Sequence, residues 1–190
     1  LRKAKTMPTA LFRFICALLV LLPLAAYADD ASDFAAANNS VQAQLLESWA
    51  AHPTPARVEL INSLQQGQIT VDGQVKTLRL NNRLRGLVET ALASHQLLAA
   101  DPKLRLSAAQ QLQKSAKPAQ LTFLDQRLAE ETDSDVHTAL SLALANLQLV
   151  DPDPAVRLRA VRLLGETGEP LARTRLENLL QPDVEADQTV

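Results

Sequence analysis

The chain reads as an all-α protein carrying one short β-hairpin, and three observations predict this. Apolar residues make up 47% of the 190 positions, with aromatics at only 3% and five glycines. A core must therefore be built mainly from Leu and Ala, which lose little rotamer freedom in a helix. Apolar positions recur at helical spacing through most of the chain, and Pro-containing breaks stop one helix and open the next. A single Asp72-Gly73 between two short alternating runs is the one β signal.

The first element is read apart from the fold. MPTALFRFICALLVLLPLAAYADD has a positive residue, Arg13, ahead of an apolar run from Phe14 to Ala26, then Ala26-Tyr27-Ala28 before two aspartates. This predicts a secretory signal peptide over 1–28, cleaved after Ala28. The apolar run falls short of the ~20 residues that a spanning helix needs. Met7 is the sole methionine, so Leu1–Thr6 is expected to be an upstream start artefact. Removing 1–28 takes away Arg2, Lys3, Lys5, Arg13 and no acid, so Lys+Arg falls from 19 to 15 against 21 Asp+Glu, near −6. So acidic a chain argues against nucleic-acid partners, whose phosphates call for clustered Lys and Arg. Cys16 leaves with the signal, which excludes disulfides, thiolate zinc sites and a cysteine nucleophile from the mature chain.

From Asp29 to about Asn39 the residues are small and polar, predicting a flexible start. Helix is expected from Ser40, with Val41, Leu45, Leu46 and Trp49 on one stripe. His52-Pro53-Thr54-Pro55 breaks it, and Pro55 opens a second helix through Leu64. QITV, Asp72-Gly73 and QVKTL then predict a hairpin with a type I′ turn, packed on the helices. Beyond it, Leu80, Leu84, Leu87, Val88, Ala91, His95 and Leu98 give one buried stripe, with Asn81 or Asn82 as N-cap. Arg83 and Arg85 lie about 200° apart around that helix, so they do not form one basic face. Arg85 can pair with Glu89, while the partner of Arg83 is undetermined. Asp101-Pro102 caps the next helix, Pro118–Glu131 forms another with Leu121, Leu124 and Leu128 inward, and Asp135–Val150 follows. Asp151-Pro-Asp-Pro opens a last pair, Ala155–Gly165 and Pro170–Leu180, with Gly165 and Gly168 at the turn.

An internal echo runs through the second half. Asp101-Pro-Lys-Leu-Arg105-Leu-Ser-Ala108 matches Asp153-Pro-Ala-Val-Arg157-Leu-Arg-Ala160 position by position, and Asp133-Ser-Asp-Val-His137 is a weaker copy. The Asp caps, Leu104 or Val156 begins the core stripe, Ala108 or Ala160 admits a close neighbour, and the Arg reaches an acid on the adjacent unit. The pattern resembles HEAT-type repeats of the short phycobilisome-lyase-like variety. Offsets of 32 and 20 residues are unequal, which predicts an irregular helical-hairpin array.

No catalytic, cofactor or metal constellation has useful spacing. His52, His95 and His137 are far apart, with His95 and His137 expected to be packed or hydrogen-bonded. Glu130-Glu131, Asp133/Asp135 and Asp151/Asp153 sit at helix boundaries, where capping and the helix dipole favour carboxylates. Asn38-Asn39-Ser40 fits a glycosylation pattern that arises often by chance.

Taken together, the exported helical segment, the hairpin, TLRLNNRLRGLVETALASHQLLAADPKLRLSAAQQL and the degenerate repeats resemble the N-terminal extracytoplasmic region of the urea ABC transporter permease, in the branched-chain-amino-acid-type importer family. Leu80–Arg85 is the most distinctive part. The resemblance implies N-terminal helices plus hairpin over 29–98, degenerate HEAT-like repeats over 99–182, and a linker at 183–190 towards a membrane domain missing here. It implies no enzyme and no cofactor. Implied partners are a second permease subunit, ATPase subunits reached through the membrane domain, and a periplasmic urea-binding protein. The implied place is the periplasmic side of a bacterial inner membrane, held there only through that domain. The competing readings are a free-standing periplasmic protein-interaction scaffold and, by analogy with the repeat's namesake alone, a lyase.

Overall fold

A computed structural model describes residues 30–179. The expected signal peptide at 1–28 and linker at 183–190 lie outside these residues. The described chain is mostly helical, with one two-stranded hairpin.

It begins as helix. Residues 30–36 (α1) are helical, not the flexible start their composition suggested. Phe34 is fully buried against Trp49, ring centroids 5.6 Å apart, and its carbonyl accepts from Gln42 Nε2 at 3.0 Å. One aromatic side chain inserted into the core outweighs the polar neighbours around it. Asn38 caps α2 (Asn39–Ala51), its side chain accepting from the amides of Ser40 and Val41. The inward face of α2 carries Gln42, Ala43, Leu46 and Trp49, so Val41, expected inside, is turned outward and 41% exposed. A 3-10 turn (Pro55–Arg57) leads into α3 (Val58–Gln65), which buries Ile61 and Leu64.

The hairpin follows as expected. Strands β1 (Gln68–Val71) and β2 (Gln74–Thr77) pair antiparallel with Val71 opposite Gln74. Asp72 and Gly73 both take positive φ, 52° and 73°, the requirement of a type I′ turn. Ile69 and Val71 point into the core while β2 is exposed along its length. Leu78 N–H closes the base on the Gly67 carbonyl at 2.7 Å.

Helix α4 (Asn82–Gln96) is capped by Asn81, whose side chain accepts from the Leu84 amide at 2.9 Å. It is buried on both sides in its second half, from Thr90 to His95, because α2 and α3 cover one side and α5 the other. At its end Leu97, not Leu98, is fully buried. Then come α5 (Pro102–Ser115), a 3-10 turn (Pro118–Gln120), α6 (Leu121–Glu130), α7 (Ser134–Gln148), α8 (Pro154–Thr167) and α9 (Pro170–Leu179). Gly165, placed in sequence at the last turn, lies inside α8, and Gly168 alone carries the left-handed C-cap at φ 66°.

The helices repeat more regularly than the unequal offsets suggested. Helix α4 is 15 residues starting at Asn82 and α7 is 15 starting at Ser134, while α5 and α8 are both 14 residues, starting at Pro102 and Pro154. Both pairs lie 52 positions apart, as do Pro118 and Pro170. The three-helix set α4-α5-α6 is therefore matched by α7-α8-α9. Buried positions follow the same step, with Leu84, Leu87, Val88, Ala91 and Leu92 answered by Val136, Ala139, Leu140, Ala143 and Leu144. The shorter offsets compared first helices with second helices, which share only the capping chemistry. Leu104 shows the cost of that comparison: it is 47% exposed, whereas Val136 in α7 is fully buried. Helix α7 packs against α5, α6 and α8 and so welds the two sets together.

Candidate functional site

The titratable groups noted in sequence do not converge. His52 and His137 are exposed, the latter where a packed or hydrogen-bonded ring was expected, while His95 is 1% exposed inside α4. Its Nδ1 lies 2.8 Å from the Ala91 carbonyl, and its Nε2 is buried without a hydrogen-bond partner. Burial lowers its pKa from 6.5, the Ala91 contact opposes this, and the Arg57 charge adds to the lowering. A neutral ring held in this way is a packing element. Among the described residues no group of three or more His, Cys, Asp or Glu is placed to hold a metal ion.

Of the acidic pairs at helix boundaries, Asp133 and Asp153 cap, while Glu130 pairs with Arg127 at 2.7 Å. Asp101, Asp133 and Asp153 each accept backbone N–H groups of the first turn of α5, α7 and α8. Glu131 does something different. Its side chain is 1% exposed and accepts from Arg105 Nε and Nη2, each at 2.8 Å, and from the amides of Thr132 and Asp133, each at 3.0 Å. The Arg105 hydrogen bond is the main reason its pKa falls from 4.5 to about 2, against the opposing effect of burial. Both oxygens are occupied and the carboxylate is a very weak base, so this is a latch between α5 and the end of α6. The repeat arginine reaches an acid as expected, but one at the end of α6 in its own three-helix set and not on the adjacent unit. Arg105 Nη1 also donates to the Ala99 and Ala100 carbonyls, and Arg157 Nη1 makes the equivalent bonds to Asp151 and Pro152.

The basic stretch at the start of α4 is a helix start. Asn81 caps, and Leu80 and Leu84 are buried. Arg83 reaches Glu47 of α2 at 3.8 Å with both side chains largely exposed, a pairing of small energetic weight. Among the described residues Arg85 and Glu89 form no ion pair, unlike the expectation.

The best candidate for a site is a cleft that no sequence motif announced. Helices α8 and α9 frame about 930 Å³ lined by Val161, Leu164, Gly165, Pro170, Leu176 and Leu179, with Glu169, Arg173 and Glu177 at its rim. An apolar floor with sparse charges of both signs suits an apolar helix face better than a small polar solute. The signal that could have found it is the 52-residue register, which sets the partly buried Val161 and Leu176 at the positions of the fully buried Ala109 and Leu124.

No family model, no curated protein and no solved structure matches the chain.

Proposed function

We propose that the chain is the N-terminal extracytoplasmic module of an ABC-type urea importer permease and serves in docking or assembly of the transporter. The observation that carries this reading is the stretch from Thr77 to Leu112. It holds the distinctive sequence resemblance, and it builds α4 and α5 at the centre of the fold. The duplicated three-helix sets support the HEAT-like part of the reading, since stacked helical repeats bind other proteins through extended faces. Residues 1–28 support export. No helix among the described residues is long and apolar enough to cross a membrane, so on this reading the solute path belongs to a membrane domain outside the chain. The partners are a second permease subunit, ATPase subunits and a periplasmic urea-binding protein.

The test is to purify the whole transporter with and without residues 29–190 and to measure subunit recovery and urea uptake. Loss of one partner from the complex is the expected result. Unchanged assembly together with unchanged uptake would refute the proposal.

A further inference from the structure

The hairpin is an insertion at a joint of the repeat. Helix α2, the 3-10 turn opened by Pro55 and α3 follow the order of α5, the 3-10 turn opened by Pro118 and α6. They also pack alike. Helices α2 and α3 stand against α4 as α5 and α6 stand against α7, and Ile61 and Leu124, equally spaced from the two prolines, are both fully buried. Yet α6 passes to α7 through residues 131–133 alone, whereas α3 passes to α4 through 66–81, which hold both strands. The helices stack without a hairpin at the second joint, so stacking does not account for this one. Extra segments in repeat arrays lie in loops on one face, often the binding face.

One edge of the hairpin is open. Val71 and Gln74 close the type I′ turn as a hydrogen-bonded pair, and bonded pairs then alternate, through Ile69 with Lys76 to Gly67 with Leu78. The N–H and C=O groups of Val75 and Thr77 therefore point away from β1, and no hydrogen bond among the described residues reaches them. Every residue of β2 is exposed, Val75 at 66%. From Gly73 to Val88 the chain carries Lys76, Arg79, Arg83 and Arg85 and no acid, although acids outnumber cations in the whole, 21 to 19. All four cations are exposed, and among the described residues only Arg83 has an acid beside it, Glu47. Arg83 and Arg85 lie on different sides of α4, so the charge along the strand is that of Lys76 and Arg79. Asp72 at the turn is the hairpin's one acid. Packing from the hairpin runs through α3, α4, α5, α7 and α8 to α9, so Leu179, the last described residue, stands at the other end of the stack.

We propose that β2 takes up an extended acidic segment of a partner protein as a third strand. Main-chain hydrogen bonds to Val75 and Thr77 hold it, and the neighbouring side chains select it. A carboxylate belongs beside Lys76, and β-branched residues belong beside Val75 and Thr77, which face the other side of the sheet. The occupant is thus a strand in which acidic and β-branched residues alternate. A third strand also relieves the weakness of a two-stranded sheet. A second copy fits worse, because two β2 edges bring Lys76 and Arg79 of both chains together. The hairpin and its charges carry this assignment independently of the transport reading.

The probe is a fluorescent peptide of about eight residues in which Val and Glu alternate, added to the full chain. Saturable binding is expected, with slowed hydrogen exchange at the Val75 and Thr77 amides. A peptide of alternating Val and Lys should bind at least tenfold more weakly. Lys76→Glu and Val75→Pro should each weaken binding of the Val-Glu peptide at least tenfold with an unchanged unfolding midpoint, because Lys76 is exposed and the Val75 N–H points away from β1. If Val75→Pro shifts the midpoint, Lys76→Glu alone decides. Val150→Glu, at an 80% exposed position beyond α7, should leave binding unchanged. Absence of saturable binding, equal binding of the Val-Lys peptide, or binding untouched by Lys76→Glu overturns the proposal. So does binding that appears only after residues 1–29 or 180–190 are removed, which would assign the edge to an end of the chain itself. Self-association abolished by Val75→Pro would assign it to a second copy and overturn it equally.

Discussion

Glu131 and His95, whose side chains are enclosed, are expected to make the stability of the fold depend on pH. Glu131 is held near 2 by Arg105, below its ordinary 4.5, so between those values the unfolded chain binds the extra proton. The stabilisation is complete above about 4.5 and is lost as pH falls towards 2. Glu131→Gln should remove that slope and leave Arg105 facing a neutral amide. Arg105→Ala leaves the Glu131 carboxylate with the Thr132 and Asp133 amides and the more distant Arg127, 3.8 Å away, and should cost on the order of 2 kcal/mol in urea unfolding at pH 7. A loss below about 0.5 kcal/mol would show the latch to be ornamental. His95 acts higher on the scale. Its folded pKa is lowered, chiefly by burial, so the unfolded chain takes up the proton first and stability falls as pH drops below about 6.5. His95→Gln should flatten the stability profile between pH 7.5 and 5. An unchanged slope would place the acid sensitivity elsewhere.

At the scale of single elements, local chemistry sets the ends and neighbours set the faces. Asp101 and Asp153 cap α5 and α8 identically, each accepting the amide two residues on at 2.9 Å. Replacing either with Ala should cost about 1 kcal/mol, and the double change should be close to additive because the two caps share no partner. The measurement is a set of chemical denaturation curves on the two single variants and the double. Gly73 carries the second positive φ of the hairpin turn, and Gly73→Ala should cost about 1–2 kcal/mol through backbone strain alone, since its Cβ would meet no atom within 4 Å. These ends were legible in sequence, because caps and type I′ turns depend on two to four adjacent residues. The inward faces were legible only in part. Val41 and Leu104 are apolar and helical yet exposed, because no neighbouring element reaches them. Phe34 went unread because a short helix flanked by polar residues has too few apolar positions to show a period.

At the scale of the whole molecule, the 52-residue step predicts unequal consequences for equivalent residues. Leu124→Ala empties a fully buried site under α7 and should cost about 2–5 kcal/mol. Leu176, its counterpart on α9, is only partly buried, and Leu176→Ala should cost roughly half as much or less in the isolated chain. Thermal or urea unfolding of the two variants compares them directly. Equal losses would mean that the position on α9 is covered as fully as its counterpart on α6. The candidate site was illegible for the same reason that these two leucines differ. Its lining comes from two helices whose register with α5 and α6 is spread over 52 positions, and no short motif displays it.

The sequence by itself determined the class of fold, the helix starts at Asp101 and Asp153 and, to within one residue, at Asn81, the hairpin and its turn, and that a repeat arginine would reach an acid. Each of these is written in a few neighbouring residues or in one repeated cap. Tertiary structure alone decided that residues 30–36 anchor the core, that α4 and α7 are corresponding helices, that Glu131 is the arginine's acid, and that α8 and α9 frame a cleft among the described residues. Those outcomes depend on contacts between residues tens of positions apart, where burial is conferred by a neighbour and not by the side chain's own character.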